Sequence, residues 1–261
     1  MTAPQHNSSN RWFESLSATP GSLLRLFCFP YAGGSAHVFR EWQRHLGPEI
    51  DVCLVHLPGR ARRLSERPYT HVKPLVQDVA GAIRSEIRGP FAFYGHSMGG
   101  LISFELTREL RRRNAALPIH LFISACWAPS VVNMHPPAFN LPDQELIAEL
   151  KKLNGTPKEF FENPDLLQAI MPMMRADFEI TDVYEYLAEP PLACGINVYG
   201  GTKDERVRPQ DLTQWKLETS ADCKIQLFSG DHFFIHNNKT EFLPALRQDL
   251  LQILPVASSQ H

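Results

Sequence analysis

The sequence predicts an α/β fold in which helices cover a mostly parallel sheet. Short apolar runs alternate along the chain with amphipathic stripes, and this alternation is typical of parallel sheets. Each run is apolar at successive positions, as expected for a strand that is buried on both faces between helices. The predicted strands occupy residues 23–29, 50–57, 91–94, 121–124, 196–199 and 224–228.

Chain-breaking residues end the first three predicted strands. Pro30 follows the first strand, Pro58 and Gly59 follow the second, and Gly95 follows the third. Between the strands, apolar residues recur at spacings of three and four, which predicts amphipathic helices. These helices occupy residues 72–87, 101–113 and 242–254.

One long stretch, residues 127–190, shows only a helical pattern. One helix there is predicted to begin at Asp143, and another to occupy residues 164–186. Because the stretch is too long for a simple crossover, we interpret it as an inserted helical lid. The alternative is a packing subdomain with no role in access to a site. Residues 22–261 are predicted to form a single domain with this lid, preceded by a mobile N-terminal arm at 1–21.

The composition is that of an ordinary globular protein. Of 261 residues, 43% are hydrophobic and 21% are charged, so a core can form without disulfide or metal staples. Lys and Arg number 26 and Asp and Glu number 28, which gives a net charge of −2. A chain so close to neutrality is not expected to coat nucleic acid.

The five cysteines lie far apart and include no C-x-x-C pair. Such a set argues against a disulfide framework and a zinc site, so we expect free thiols in a reducing compartment. The polar N-terminal arm lacks the order of a signal peptide, and no apolar run approaches the ~18 residues of a membrane span. In that arm, Trp12 and Phe13 are expected to rest on the body of the domain. We therefore expect a cytoplasmic protein with no metal, nucleic-acid or membrane partner.

Gly95-His-Ser-Met-Gly99 fits the pattern G-x-S-x-G and lies where a predicted strand gives way to a helix. This pattern in this position is typical of a nucleophile elbow, a strained turn that holds a serine hydroxyl above the sheet. Ser97 is therefore the candidate nucleophile, and the flanking glycines supply the space that the turn needs. The alternative is a glycine-rich turn in which Ser97 only caps the helix.

A nucleophilic serine needs a base and the base needs a carboxylate, in the chain order serine, acid, histidine. His232 lies just beyond the last predicted strand, which places it over the carboxyl edge of the sheet. His236 is its nearest competitor. Asp204 is the candidate acid because it lies in the loop after strand 196–199, where sites of open α/β sheets are found. Glu205 is the alternative acid.

Backbone N–H groups are expected to stabilise the oxyanion of a tetrahedral intermediate. One donor is the N–H of Met98, which directly follows the candidate nucleophile. The other should come from the loop after the first strand, where Ala32 is the candidate. Gly33 and Gly34 allow that backbone to approach a substrate closely, although they could also form only a turn.

Five motifs follow one another along the chain: Phe29-Pro-Tyr-Ala-Gly-Gly-Ser-Ala36, Leu57-Pro-Gly-Arg60, Tyr94-Gly-His-Ser-Met-Gly-Gly100, Arg175-Ala-Asp177 and Gly230-Asp-His-Phe233. Taken in this order, they resemble the motifs of the type II thioesterases. These stand-alone α/β-hydrolases accompany polyketide synthases, nonribosomal peptide synthetases and, in animals, fatty-acid synthase. The resemblance spans about residues 23–253 and implies an α/β-hydrolase fold. It places Ser97, Asp204 and His232 in the triad and Ala32 and Met98 in the oxyanion hole.

The resemblance also implies a reaction. Acyl groups would be hydrolysed from the phosphopantetheine arm of acyl or peptidyl carrier proteins, without a metal or bound cofactor. An editing role in a polyketide or nonribosomal peptide pathway is expected, for a protein that acts as a monomer. A carboxylesterase or lipase, or an acyltransferase, would use the same triad, and a non-catalytic receptor of the same fold is a further alternative.

Residues of the predicted lid suit a pocket for varied acyl groups because methionine side chains are flexible and polarisable. The candidate substrate-binding residues are Met134, Phe139, Met171, Met174 and Phe178, although each could instead seal the lid onto the core. Two arginine clusters could attract an acidic carrier protein or belong to a solvated face. They comprise Arg60, Arg62 and Arg63, and Arg108, Arg111, Arg112 and Arg113.

Overall fold

One seven-stranded sheet organises the computed structural model, which describes residues 11–16, 21–133, 135–153, 155 and 158–254. The strands are β1 (Phe13–Ser15), β2 (Leu24–Phe29), β3 (Ile50–Val55), β4 (Phe91–His96), β5 (His120–Ser124), β6 (Gly195–Gly201) and β7 (Cys223–Phe228). Their order across the sheet is β1-β3-β2-β4-β5-β6-β7. All neighbouring pairs are parallel except β1 and β3, which confirms the predicted mostly parallel sheet.

Helices follow most of the parallel strands and cover both faces of the sheet. In the described ranges they are α1 (Trp42–Leu46), α2 (Val72–Ile83), α3 (Met98–Arg112), α4 (Asp143–Leu153), α5 (Lys158–Glu162), α6 (Pro164–Asp182), α7 (Pro209–Leu212), α8 (Phe234–Asn237) and α9 (Lys239–Gln252). The predicted helix 72–87 is shorter than expected and ends at Ile83. No helix of these ranges is long and apolar enough to cross a lipid bilayer.

Alternate strand residues face the two sides of the sheet and supply two apolar cores. On β4, Phe91 and Phe93 join the core under α2 and α3, whereas Ala92 and Tyr94 join the core under α1 and α9. Both faces are therefore buried, which explains why the strands are apolar at successive positions.

Within the N-terminal segment, Trp12 and Phe13 pack on the body of the domain, as predicted. Phe13–Ser15 form edge strand β1, with Phe13 paired to Val55. The Phe13 side chain is only 6% exposed, and its ring lies edge-on to that of Phe27 at 5.4 Å between centroids. Aromatic burial and strand pairing together order residues 11–16. The rest of the predicted arm, apart from residue 21, lies outside the described residues.

Three helices, α4 to α6, lie in the stretch interpreted as a lid, between β5 and β6. α4 begins at Asp143 as expected, and α6 begins at Pro164 but ends at Asp182, four residues before the predicted end. The side chain of Asn163 caps α6 by accepting the N–H groups of residues 165 and 166. The helices share an apolar core of their own, formed by Ala138, Leu146, Leu150, Met171, Met173, Met174 and Phe178.

Candidate active site

Ser97 lies in a strained turn between β4 and α3. Its backbone has φ 53° and ψ −119°, a conformation that residues other than glycine rarely adopt. Although Ser97 occupies the N-cap position of α3, its side chain makes no capping hydrogen bond. The turn therefore displays the hydroxyl rather than using it as a helix cap.

Two glycines make this turn possible. A Cβ atom at Gly95 would lie 2.1 Å from the carbonyl oxygen of Gly99, and one at Gly99 would lie 2.1 Å from that of Phe29. Both distances are far below a van der Waals contact. The turn therefore needs glycine on both sides of the serine, as the sequence predicts.

His232 and Asp204 form a hydrogen-bonded pair at the carboxyl edge of the sheet. His232 Nδ1 lies 2.8 Å from Asp204 Oδ2. The other carboxylate oxygen accepts the N–H groups of Arg206 and Val207 at 2.9 and 3.0 Å. Burial alone would raise the pKa of Asp204, but these hydrogen bonds and the charge of His232 hold the pKa below its ordinary value of 3.8. The acid is thus held as a carboxylate aimed at the imidazole.

The competing candidates have other contacts. His236 Nε2 lies 2.9 Å from the hydroxyl of Tyr31. Glu205, the alternative acid, is exposed. Asp231, which adjoins His232 in sequence, accepts the N–H of Phe233 at 2.8 Å. The structure therefore pairs His232 with Asp204 rather than with Glu205.

A pocket connects the serine, the histidine and the lid. About 870 Å³ of space not filled by protein atoms lies there, open to solvent. Ser97, His232, Met98 and Ala32 all line it, so the structure brings together the candidate nucleophile, base and backbone donors. Other lining residues are mainly apolar and include Leu101, Trp127, Leu150, Leu153, Met174 and Phe178.

The candidate substrate-binding residues of the lid divide into groups. Met174 and Phe178 line the pocket. Phe139 and Met171 are not among the residues that line it: Met171, on α6, belongs to the lid's own core, and Phe139, in the loop before α4, packs against that core. Met134 lies outside the described residues.

The arginine clusters are used in ion pairs within the chain. Arg108, Arg111 and Arg112 each contact Glu189 at 2.6–3.0 Å. Arg113 contacts Glu109 at 2.7 Å. In the other cluster, Arg60 contacts Asp177, Arg62 contacts Glu14 and Arg63 contacts Glu66. Much of the positive charge that could attract an acidic carrier protein is therefore neutralised by acidic residues of the same chain.

Sequence reasoning assigned no role to His96, which directly precedes the candidate nucleophile. Its ring is fully buried, 5.4 Å from the ring of His232, and its Nδ1 lies 2.7 Å from Ser124 Oγ. Burial and the neighbouring histidines hold the pKa of His96 well below 6.5. A neutral, buried ring therefore lies edge-on to the imidazole of the candidate base, and only its place inside the G-x-S-x-G motif could have indicated this.

A parallel sheet with a strained serine after a central strand, and a histidine–aspartate pair over the same edge, defines an α/β-hydrolase with the site of a serine hydrolase. The family model described as "Thioesterase domain" matches residues 24–250. The chain belongs to the thioesterase family, and the resemblance to type II thioesterases is confirmed. It is accordingly a hydrolase of acyl thioesters.

Curated relatives match nearly the whole chain. The gramicidin S biosynthesis protein GrsT of Aneurinibacillus migulanus is 39% identical over 245 residues, which is 94% of this chain and 96% of that protein. The linear gramicidin dehydrogenase LgrE of Brevibacillus parabrevis is 41% identical over 252 residues, or 95% of this chain and 96% of LgrE. The word dehydrogenase describes LgrE and is not carried over to this chain, because the family model that matches this chain describes a thioesterase.

Solved structures agree. RedJ, a thioesterase from the prodiginine pathway of Streptomyces coelicolor, is similar with a TM-score of 0.83 and 33% identity, over 89% of this chain and 94% of RedJ. YbtT, a type II thioesterase from the yersiniabactin NRPS/PKS pathway, has a TM-score of 0.83 and 29% identity, over 94% of this chain and 100% of YbtT. These likenesses confirm the α/β-hydrolase fold and favour a thioesterase over a carboxylesterase, lipase or receptor.

Proposed function

We propose that the protein removes acyl groups from the phosphopantetheine arm of carrier proteins in a nonribosomal peptide or polyketide pathway, with Ser97 as nucleophile. The observation that carries this proposal is the pocket in which Ser97 and His232 meet an apolar wall contributed by the lid. An apolar wall suits an acyl chain, and the open mouth suits an acyl group delivered on a long arm.

In the proposed acylation step, Ser97 Oγ attacks the thioester carbonyl and His232 Nε2 accepts the serine proton. Asp204 accepts the hydrogen bond of His232 Nδ1, which fixes the tautomer that leaves Nε2 free to act as the base. The N–H groups of Met98 and Ala32 stabilise the oxyanion. Collapse of the intermediate breaks the carbon–sulfur bond, and the thiol leaves with the proton from His232.

In the deacylation step, water replaces the thiol. The water oxygen attacks the carbonyl carbon of the acyl-serine while His232 Nε2 takes a proton from the water. His232 then gives that proton to Ser97 Oγ as the bond between the acyl group and the serine breaks. The products are a carboxylic acid and the free enzyme. The proposed steps use side chains, backbone N–H groups and water, and the pantetheine arm belongs to the substrate.

The partner in this proposal is a carrier protein that docks in trans, and the protein acts as a monomer that edits stalled acyl groups. Relatives named for gramicidin S biosynthesis and for a yersiniabactin NRPS/PKS pathway support a place in such a pathway. All five cysteines are free, and free thiols support a reducing compartment such as the cytoplasm.

Mass spectrometry of acylated carrier protein tests the proposal. We expect the wild-type protein to convert acyl carrier protein to the free pantetheine form, and Ser97→Ala to leave it acylated. The proposal fails if Ser97→Ala hydrolyses the thioester at the wild-type rate, or if the wild-type protein strongly prefers the matching oxygen ester. Adding an alcohol or amine acceptor distinguishes an acyltransferase, which would give an ester or amide instead of the acid.

A further inference from the structure

A buried ion pair joins the lid to the loop after β3. Both oxygens of Asp177, on α6, accept hydrogen bonds from Arg60: Nη1 lies 2.6 Å from Oδ2, and Nη2 lies 2.6 Å from Oδ1. Asp177 is 1% exposed and Arg60 is 6% exposed. Two opposite charges are thus almost removed from water, outside the triad.

The same carboxylate also contacts the candidate oxyanion loop. Asp177 Oδ2 accepts the N–H of Gly33 at 2.7 Å. Gly33 is the third residue of a turn that the Gly34 N–H closes onto the Tyr31 carbonyl at 2.9 Å. Its φ of 77° identifies a type II turn, because Ala32 has no positive φ. Asp177 therefore holds the central peptide of the turn that contains Ala32.

Two further contacts hold this turn. Arg60 Nη1 donates to the Gly34 carbonyl at 3.0 Å, so the arginine contacts both the turn and the carboxylate. Met174, one turn of α6 before Asp177, covers Gly33 closely: a Cβ on that glycine would lie 2.4 Å from the Met174 sulfur. One face of the lid helix therefore clamps the turn.

The turn alone does not select this arrangement. Type I and type II turns differ by rotation of the central peptide, and glycine at the third position accepts either form. With the peptide rotated, the Ala32 carbonyl would replace the Gly33 N–H opposite Asp177 and meet a carboxylate. The charge of Asp177 thus favours one form, and Arg60 offsets the cost of burying that charge.

We infer that Asp177, oriented by Arg60, is a positioning residue for the oxyanion hole. It anchors the turn at residues 31–34 through the Gly33 N–H and so fixes the position of the neighbouring N–H of Ala32, which belongs to the preceding peptide. Preorganised donors stabilise a transition state because they need no reorientation during the reaction. The inference rests on the proposed function, in which Ala32 is one of two oxyanion donors.

Asp177→Asn tests the inference, since it removes the charge with little change in shape. We expect kcat for thioester hydrolysis to fall about 10- to 100-fold, while KM changes less than about threefold. This fall in kcat does not exceed the fall that follows removal of a complete oxyanion donor. Arg60→Lys is a second variant that keeps the positive charge and loses the two-pronged contact. It is expected to lower kcat in the same direction.

Asp182→Asn is the matched control. Asp182 lies on the same helix and accepts two backbone N–H groups of the lid, those of Ala138 and Phe139 at 2.7 and 3.1 Å. It has no hydrogen bond to the oxyanion loop among those described. We expect this variant to lower the melting temperature as Asp177→Asn does, but to leave kcat within about threefold of wild type.

An alkyl trifluoromethyl ketone gives the decisive measurement. Ser97 Oγ adds to its carbonyl carbon, the serine proton passes to His232, and the carbonyl oxygen becomes an oxyanion. We expect Asp177→Asn to weaken this adduct by about the factor lost in kcat, while affinity for the product carboxylic acid stays unchanged. A general loss of structure would weaken both ligands.

The inference is overturned if Asp177→Asn keeps kcat within threefold, if Asp182→Asn loses as much kcat, or if ketone and acid affinities fall together. In each case wild-type hydrolysis remains, and the proposed function stands. If the wild-type protein neither hydrolyses the thioester nor binds the ketone at Ser97, the proposed function and the inference both fail. Measurements on the wild-type protein therefore distinguish a failure of the proposed function from a failure of the role inferred for Asp177.

Discussion

Asp204→Asn isolates the contribution of one charge and one hydrogen bond to the reaction. The amide oxygen of asparagine can still accept the N–H groups of Arg206 and Val207, which now bind Oδ1. With its oxygen held there, the amide nitrogen faces His232 Nδ1 and donates to it. The proton of the imidazole must then lie on Nε2, and the ring cannot accept the proton of Ser97.

The size of the effect follows from that tautomer. The corresponding change in a serine protease lowers kcat about 10⁴-fold, and we expect a loss of about 10³- to 10⁴-fold here. At 1.36 kcal/mol for each factor of ten, this is about 4–5.5 kcal/mol of transition-state stabilisation. Because the two backbone contacts remain, the free energy of unfolding should fall by only about 1 kcal/mol.

Steady-state release of thiol from an acyl-pantetheine thioester measures the effect, with urea denaturation as the check on folding. Glu205→Gln is the matched control, since its exposed side chain adjoins the same loop. It should keep wild-type activity. The assigned role of Asp204 is refuted if Asp204→Asn retains more than about a tenth of wild-type kcat, or if its loss is matched by unfolding.

Two further predictions concern acid stability and the serine turn. The pKa of Asp204 in the folded protein lies below the ordinary value of 3.8 that it has in the unfolded chain. The Asp204 carboxylate therefore stabilises the fold at pH values above its unfolded-state pKa, and this stabilisation is lost as the pH falls through the folded-state pKa. The gap in unfolding free energy between wild type and Asp204→Asn should therefore be constant near neutral pH and narrow below about pH 4; urea titrations at a series of pH values would contradict this by showing a gap that widens in acid. Gly95→Ala should destabilise the fold by more than about 3 kcal/mol and abolish turnover, because its Cβ would lie 2.1 Å from the Gly99 carbonyl oxygen. Gly89→Ala, where nothing lies within 4 Å, is the control, and equal melting temperatures for the two variants would count against the packing argument.

The sheet could be predicted because its strands are short apolar runs that end in chain breakers. Each predicted strand overlaps an observed one, since burial on both faces leaves a direct mark on composition. The triad candidates could be chosen for a related reason: loops at the carboxyl ends of parallel strands converge on one edge. β1 escaped prediction because three residues are too few to show a period.

The ion pairs could not be predicted in the same way. A charged residue is visible in the sequence, but the residue that pairs with it lies far away along the chain. Arg60 was grouped with Arg62 and Arg63 as surface charge, yet its partner, Asp177, lies 117 residues later. Proximity in sequence argued for a shared face, whereas the loop after β3 and the lid helix meet only through the fold. A useful signal did exist, since the Pro-Gly-Arg motif ends in an arginine, the Arg-Ala-Asp motif ends in an aspartate, and neither residue has a place in the triad. Because burying one such charge alone is costly, two motifs of this kind beside one catalytic edge are better interpreted as partners than as solvated residues.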